Sequence, residues 1–145
     1  MMNGPYYIIS DNHFSMTNNS AEEQRRNKLF SVFNKIKEKG EGTLIIGGDF
    51  FDYWFEYKHE IPKGYESILE SLRDLHDHNI DIHYIAGNHD YWDFGYLNRI
   101  TGANIYKGDF EFKYNNKNIL ITHGDGILKS DYSYRFMKKI IRSKL

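Results

Sequence analysis

The chain has 145 residues, 40% of them hydrophobic, which is the size of one ordinary domain able to bury a core. Its 19 basic and 20 acidic residues nearly cancel, so the overall charge gives no field of the kind that draws proteins onto nucleic acid. With no cysteine, disulfide frameworks and thiolate metal sites are excluded, and His, Asp and Asn remain as ligand types. The opening residues carry neither a basic n-region nor an apolar stretch of signal-peptide length, and no run reaches membrane-spanning length. A soluble or surface-bound protein is the expectation, and the absence of cysteine agrees with a cytosolic one. The 12 Tyr and 10 Phe exceed what a small core needs, which places some of them on a binding surface.

Taken in chain order, Tyr6 to Ser10 is a short β-rich apolar run of buried-strand length. A helix follows, with Leu29, Val32, Phe33 and Ile36 at helical spacing, Ser20 and Glu23 as a capping box, and Gly40 as the stop. Thr43 to Gly47 is a second strand. Pro62 and Gly64 precede a second helix with Tyr65, Ile68, Leu69, Leu72 and Leu75 on one stripe, and Asp81 to Ala86 is a third strand. This βαβ alternation predicts a mostly parallel α/β sheet, with function gathered just after each strand. Asn104 to Tyr106 and Asp109 to Tyr114 read as strands, with Asn115-Asn116 turning into a strand from Asn118 to Thr122, an antiparallel region. From Ser133 to Leu145 the spacing predicts an amphipathic basic helix. Tyr134, Met137, Ile140 and Ile141 fall on one side, with Arg135, Lys138, Lys139, Arg142 and Lys144 largely elsewhere. No linker, repeat or low-complexity segment divides residues 1–145, which read as one domain.

The chemistry-bearing residues sit at strand ends. Ser10-Asp11-Asn12-His13 follows the first strand and Gly47-Gly48-Asp49-Phe50-Phe51-Asp52 the second. Gly87-Asn88-His89-Asp90 follows the third, and Thr122-His123-Gly124-Asp125-Gly126 the run from Asn118. Each block delivers an oxygen or imidazole where an α/β sheet builds its site, and the glycines let the backbone turn close to an ion. His59, His76, His78 and His83 belong to no such block and read as filler. Asp52 reads either as a loop cap or as part of the site, and Asp90 as a residue that orients His89 or a neighbouring loop. Trp54, Phe55, Tyr57 and Trp92 follow the blocks directly, where loops form a pocket mouth.

These blocks resemble the calcineurin-like metallophosphoesterases, whose signature is D-x-H, G-D-x-x-D, G-N-H-[DE], a later His-Gly and a closing G-H-x-H; four of the five are present. The resemblance implies an αββα sandwich holding two divalent metal ions, manganese first, with iron or zinc as alternatives. It assigns Asp11 and His13 to one ion, Asp49 to a bridge, and Asn88 and His123 to the other. A carboxylate suits the bridge because it can hold two cations roughly 3.5–4 Å apart. Catalysis falls to Asp49, Asn88 and His89, with His89 stabilising the transition state or protonating the leaving group.

The runs Gly48 to Tyr57, Gly87 to Trp92 and His123 to Gly126 before Asp131 to Phe136 are similar to UDP-2,3-diacylglucosamine diphosphatases of lipid A synthesis. That resemblance implies release of UMP from a UDP-linked acylated sugar at the cytoplasmic side of an inner membrane. It also implies a helical lid beginning near residue 130 that meets acyl chains and an anionic membrane surface. Asp125, Trp54, Tyr57, Trp92, Tyr134 and Arg135 would contact this substrate. Two departures stand out: His89 occupies a position where the best-known members carry Arg, and no His follows His123. The second makes the expected domain incomplete at its C-terminus, with a weak or inactive site in this chain by itself. A different phosphodiester or phosphoprotein substrate is the alternative, nucleic acid being disfavoured by the scatter of the basic residues. A metal-free scaffold would be expected to lose ligands, whereas Asp11, His13, Asp49, Asn88 and His123 are all retained.

Overall fold

A computed structural model describes residues 4–17, 19–57, 60–128 and 130–143. Strand β1 (Tyr6–Ile9), helix α1 (Ser20–Lys39), β2 (Thr43–Ile46), α2 (Glu66–Asp77) and β3 (Asp81–Ile85) alternate as the periodicity predicts. They are followed by α3 (Tyr96–Thr101), β4 (Asn104–Tyr106), β5 (Phe110–Tyr114), β6 (Lys117–Ile121) and α4 (Tyr132–Ile141). Strands β1 to β4 form one parallel sheet in sequence order, while β5 and β6 pair antiparallel as a separate ribbon.

The alternation of side chains along each strand divides the core in two. Leu44, Ile46, Ile82 and Tyr84 point to one face and pack against Leu29, Phe33 and Ile36 of α1, Ile68, Leu72 and Leu75 of α2, and Leu97 of α3. Ile45 and Ile85 point the other way, onto Phe110, with Phe112 and Ile121 of the ribbon partly buried beside them. Helices, parallel sheet and ribbon thus form three successive layers, the α/β/β part of the expected sandwich. Burying each large aliphatic side chain contributes about 1.5–3 kcal/mol, so the four buried apolar residues of α2 alone tie it firmly to the sheet.

Several expectations change in detail. The N-cap of α1 is Asn19, whose side-chain oxygen accepts the N–H groups of Ala21 and Glu22 at 3.1 and 3.0 Å, rather than Ser20, which is already helical. Gly40 ends that helix at φ 74°, as expected. Val32 belongs to the apolar spacing but remains 45% exposed, because the buried stripe runs through Leu29, Phe33 and Ile36. The antiparallel region begins later than predicted: β4 lies parallel to β3, with His83 opposite Asn104. The cause is α3, six residues too short to leave a periodic signature, which turns the chain back before β4. Asn115 and Asn116 both have positive φ, 47° and 61°, as a tight two-residue hairpin turn requires. His59, Lys144 and Leu145 lie outside the described residues. Among the described residues no helix is long and apolar enough to cross a membrane.

Candidate metal centre

Beyond the ends of β1 and β2 the parallel pairing continues through the motif loops. Gly47 N–H donates to Ile9 O, Asp11 N–H to Gly48 O, His13 N–H to Asp49 O and Phe14 N–H to Phe50 O, all at 2.8–3.0 Å. This lateral zipping holds three non-glycine residues, Asp11, His13 and Asp49, in the left-handed region at φ 53°, 47° and 49°. Such backbone strain persists only where surrounding bonds over-determine it, and it concentrates at functional sites.

Asp49 lies at the centre, almost fully buried. Its Oδ1 accepts the backbone N–H of His89 at 2.9 Å, so Oδ2 is the atom left for other partners. Oδ2 lies 3.3 Å from His123 Nε2 and 3.7 Å from His13 Nε2. A single oxygen therefore stands between the two halves of the site, where the carboxylate rule anticipates both. Donor atoms within 4.8 Å of one another fall into two groups sharing Asp49: His13 with His89, and Asp11 with His123. Asp11 thus lies in the His123 group rather than with His13. Asn88 Oδ1 is 3.2 Å from His123 Nε2.

Two of the histidines are oriented by backbone carbonyls. His123 Nδ1–H donates to Gly47 O at 3.1 Å, with its Nε2 directed at Asp49 and Asn88, and His89 Nδ1–H donates to Asp52 O at 2.6 Å, which leaves Nε2 as its second ring nitrogen. Two acceptors, Asp49 Oδ2 and Asn88 Oδ1, face His123 Nε2. The hydrogen bond with Asp49 accordingly raises the imidazole from 6.5 to about 9, against the opposing effect of burial. Burial alone would push Asp49 up, but its bonds with His123 and the His89 N–H outweigh it and hold the carboxyl below its usual value. Imidazole, carboxylate and amide donors converging with their second shells in place fit divalent cations of intermediate hardness. The backbone is shaped around these groups: a Cβ on Gly87 would overlap the Asp49 carboxylate, and one on Gly48 the His123 ring.

Asp90, fully buried, joins two of the blocks. Its Oδ1 accepts Gly87 N–H at 2.6 Å; its Oδ2 accepts Phe50 N–H at 2.8 Å and the Tyr84 hydroxyl at 2.5 Å. It therefore orients the loops beside Asp49 and Asn88 rather than the His89 ring. Asp52 is exposed, and its carboxylate lies 3.7 Å from His13 and 3.9 Å from His89. The aromatic residues divide. Trp54 has no exposed surface and stacks among Phe51, Tyr65 and Tyr96, which corrects its expected place at a pocket mouth: its ring completes the core beneath the loop. Tyr57 is exposed, and Trp92 is partly exposed and stacked on Phe55.

The tail helix turns the expected way round only in part. Its apolar residues Phe136, Met137, Ile140 and Ile141 are exposed, while Tyr134, Lys138 and Arg142 face inward and converge on Asp125. Tyr134 donates to Asp125 at 2.9 Å, and Lys138 and Arg142 pair with it at 2.7 and 3.2 Å. Arg135 is exposed and lies over the Tyr132 ring. The sequence reading also missed Glu22, Arg25 and Arg26, which bind the Asn12–Ser15 loop from the first turns of α1. Buried Glu22 and Arg26 are an i,i+4 ion pair, a spacing that is visible in sequence but ordinarily belongs to a solvated face.

The calcineurin-like phosphoesterase family profile matches residues 4–144. The chain belongs to that family. Among curated relatives, the UDP-2,3-diacylglucosamine hydrolase of Porphyromonas gingivalis is 30% identical over 99% of this chain and 55% of its own length. The protein of the same name from Neisseria meningitidis serogroup B is 26% identical over 97% of this chain and 56% of its own. The chain therefore spans about half the length of the relatives it matches. A solved Aquifex aeolicus protein of unknown function, AQ665, superposes with a TM-score of 0.49 at 21% identity, covering 93% of this chain and 70% of that one. Divalent metal ions are implied by membership of this phosphoesterase family, and the clustered donors around Asp49 are compatible with them.

Proposed function

We propose that this chain is the metal-binding part of a two-metal hydrolase that cleaves the pyrophosphate of UDP-2,3-diacylglucosamine into UMP and 2,3-diacylglucosamine 1-phosphate. The approach of Asn88 Oδ1 and Asp49 Oδ2 to 3.2 and 3.3 Å from His123 Nε2, beside His13 and His89, carries the hydrolase reading. The relatives' names supply the substrate. Asp11, His13, Asp49, Asn88 and His123 would hold the ions, manganese foremost. Those ions would supply Lewis acidity toward the phosphoryl oxygens and a water-derived nucleophile at neutral pH. His89, held by Asp52 O, presents Nε2 to hold or deliver a proton at the leaving-group oxygen. Asp125, Tyr57, Trp92, Tyr134 and Arg135 are the substrate contacts of this reading. The exposed apolar face of α4 would meet acyl chains at an anionic cytoplasmic membrane surface, where the enzyme would act peripherally.

His89 favours one other reading, a phosphoesterase with a different substrate, since the named group's best-known members carry Arg there. Manganese-dependent UMP release from the lipid substrate tests both. It is measured for this chain and for a polypeptide continued through a Gly-His-x-His block, with Asp49→Ala as control. UMP release lost in the control supports the proposal. Hydrolysis of a generic phosphodiester without UMP release would leave the hydrolase and remove the lipid substrate.

A further inference from the structure

Two cations outside the ligand set face the same ring. Arg142 lies 3.9 Å above the centroid of Tyr91, and Lys107 Nζ lies 5.4 Å from it and 4.9 Å from the Phe94 ring. Arg142 also donates to Gly87 O at 3.3 Å, one residue before Asn88. Among the described residues Lys107 makes no ion pair. Both cations line a cavity of about 370 Å³ together with His123, Asp109, Asp125 and Lys138. Lys138 and Arg142 also line a smaller cavity of about 120 Å³, together with Asn88, Trp92, Met137 and Ile141. The end of α4 therefore borders both a more polar chamber reaching His123 and a more apolar one reaching Asn88.

The geometry points to the polar chamber as a second phosphate subsite, in which Lys107, Arg142 and Lys138 bind a phosphate monoester group beside the metal centre. This rests on the hydrolase reading above, because the two phosphoryl groups of a diphosphate share one oxygen. When one lies at the Asp49 centre, the other must lie immediately next to it. The charge balance also fits an anion. Three cations face two carboxylates, and Asp125 is already engaged by Lys138, Arg142 and Tyr134. That engagement fixes the cationic heads in place before a ligand arrives, lowering the ordering cost of binding. Arg142 offers a planar fork suited to phosphate, and Lys107 a point charge that aromatic faces hold without neutralising it.

The test is titration of the 145-residue chain with UMP and with glucosamine 1-phosphate, with and without Mn2+, by calorimetry. Wild type is compared with Lys107→Met, Arg142→Met and the double variant; circular dichroism and the Mn2+ isotherm verify folding and the metal site. About tenfold weaker binding of either phosphate for each cation removed is the expected result, with the Mn2+ isotherm unchanged in Lys107→Met, which among the described residues breaks no hydrogen bond to the metal loops. The probe weakened more identifies which side of the diphosphate occupies the chamber. Equal binding of both probes by wild type and the folded double variant overturns the subsite. Absence of Mn2+ binding by wild type would instead count against the metal reading, since the cation effect is read separately without metal.

Discussion

Asp90 provides a stringent test of how the site is held, because it touches none of the ligand side chains. Its carboxylate receives three donors in a place without solvent: Gly87 N–H on Oδ1, and Phe50 N–H with the Tyr84 hydroxyl on Oδ2. Burial pushes the Asp90 carboxyl up, and the three donors oppose it. In Asp90→Asn the amide oxygen can still serve the two donors at Oδ2, but the NH2 group then faces the Gly87 N–H. Leaving that N–H unpaired costs about 1–3 kcal/mol, and replacing charged by neutral acceptors weakens the other two bonds, for a total of about 3 kcal/mol. For a chain of this length that corresponds to a fall in Tm of roughly 9 °C. Tyr84→Phe removes one of the same bonds, so the double variant should be less destabilised than the sum, with a coupling of about 1 kcal/mol. Because Phe50 and Gly87 flank Asp49 and Asn88, Asp90→Asn should also weaken Mn2+ binding about tenfold. Thermal melts of the four proteins and Mn2+ calorimetry make the measurement. A Tm within about 2 °C of wild type together with additive single effects would refute the account, since a buried three-donor carboxylate cannot be replaced so cheaply.

The raised pKa of His123 sets a pH dependence for the metal-free chain. The protonated imidazole facing Asp49 stabilises the fold fully below 6.5, and that contribution is lost as pH rises toward about 9, so Tm should fall across this window. Mn2+ must displace that proton, so calorimetry in buffers of different ionisation enthalpy should register proton release on binding near pH 7. At the start of α1, Asn19→Ala should cost about 1 kcal/mol in a thermal melt while Ser20→Ala costs little, and the reverse order would reinstate Ser20 as the cap. Finally, replacing Phe136 and Ile140 of α4 by Ser should reduce sedimentation of the chain with anionic vesicles while leaving Tm nearly unchanged, because no residue of α4 is buried. A drop in Tm would mean that this face packs against the body.

Four motif blocks, two crossover helices and the strand ends that carry Asp11, Asp49 and Asn88 were legible in the sequence. They rest on local rules: period-2 and period-3.6 burial, glycine at turns, and polar residues placed after apolar runs. The tertiary structure decided what local rules do not reach. Pairing of His83 with Asn104 made β4 parallel, because a six-residue helix reversed the chain without a periodic signature. Close packing drew Trp54 inward, although its neighbours Tyr53 and Tyr57 remain exposed. The choice of one Asp49 oxygen for His89 N–H and the other for the imidazoles depended on two loops being zipped side by side. The orientation of α4 was decided in the same way. Its apolar stripe is visible in sequence, but one carboxylate in the turn just before the helix, Asp125, outcompetes that stripe by gathering Tyr134, Lys138 and Arg142 in a partly buried site where charge pairing is strong.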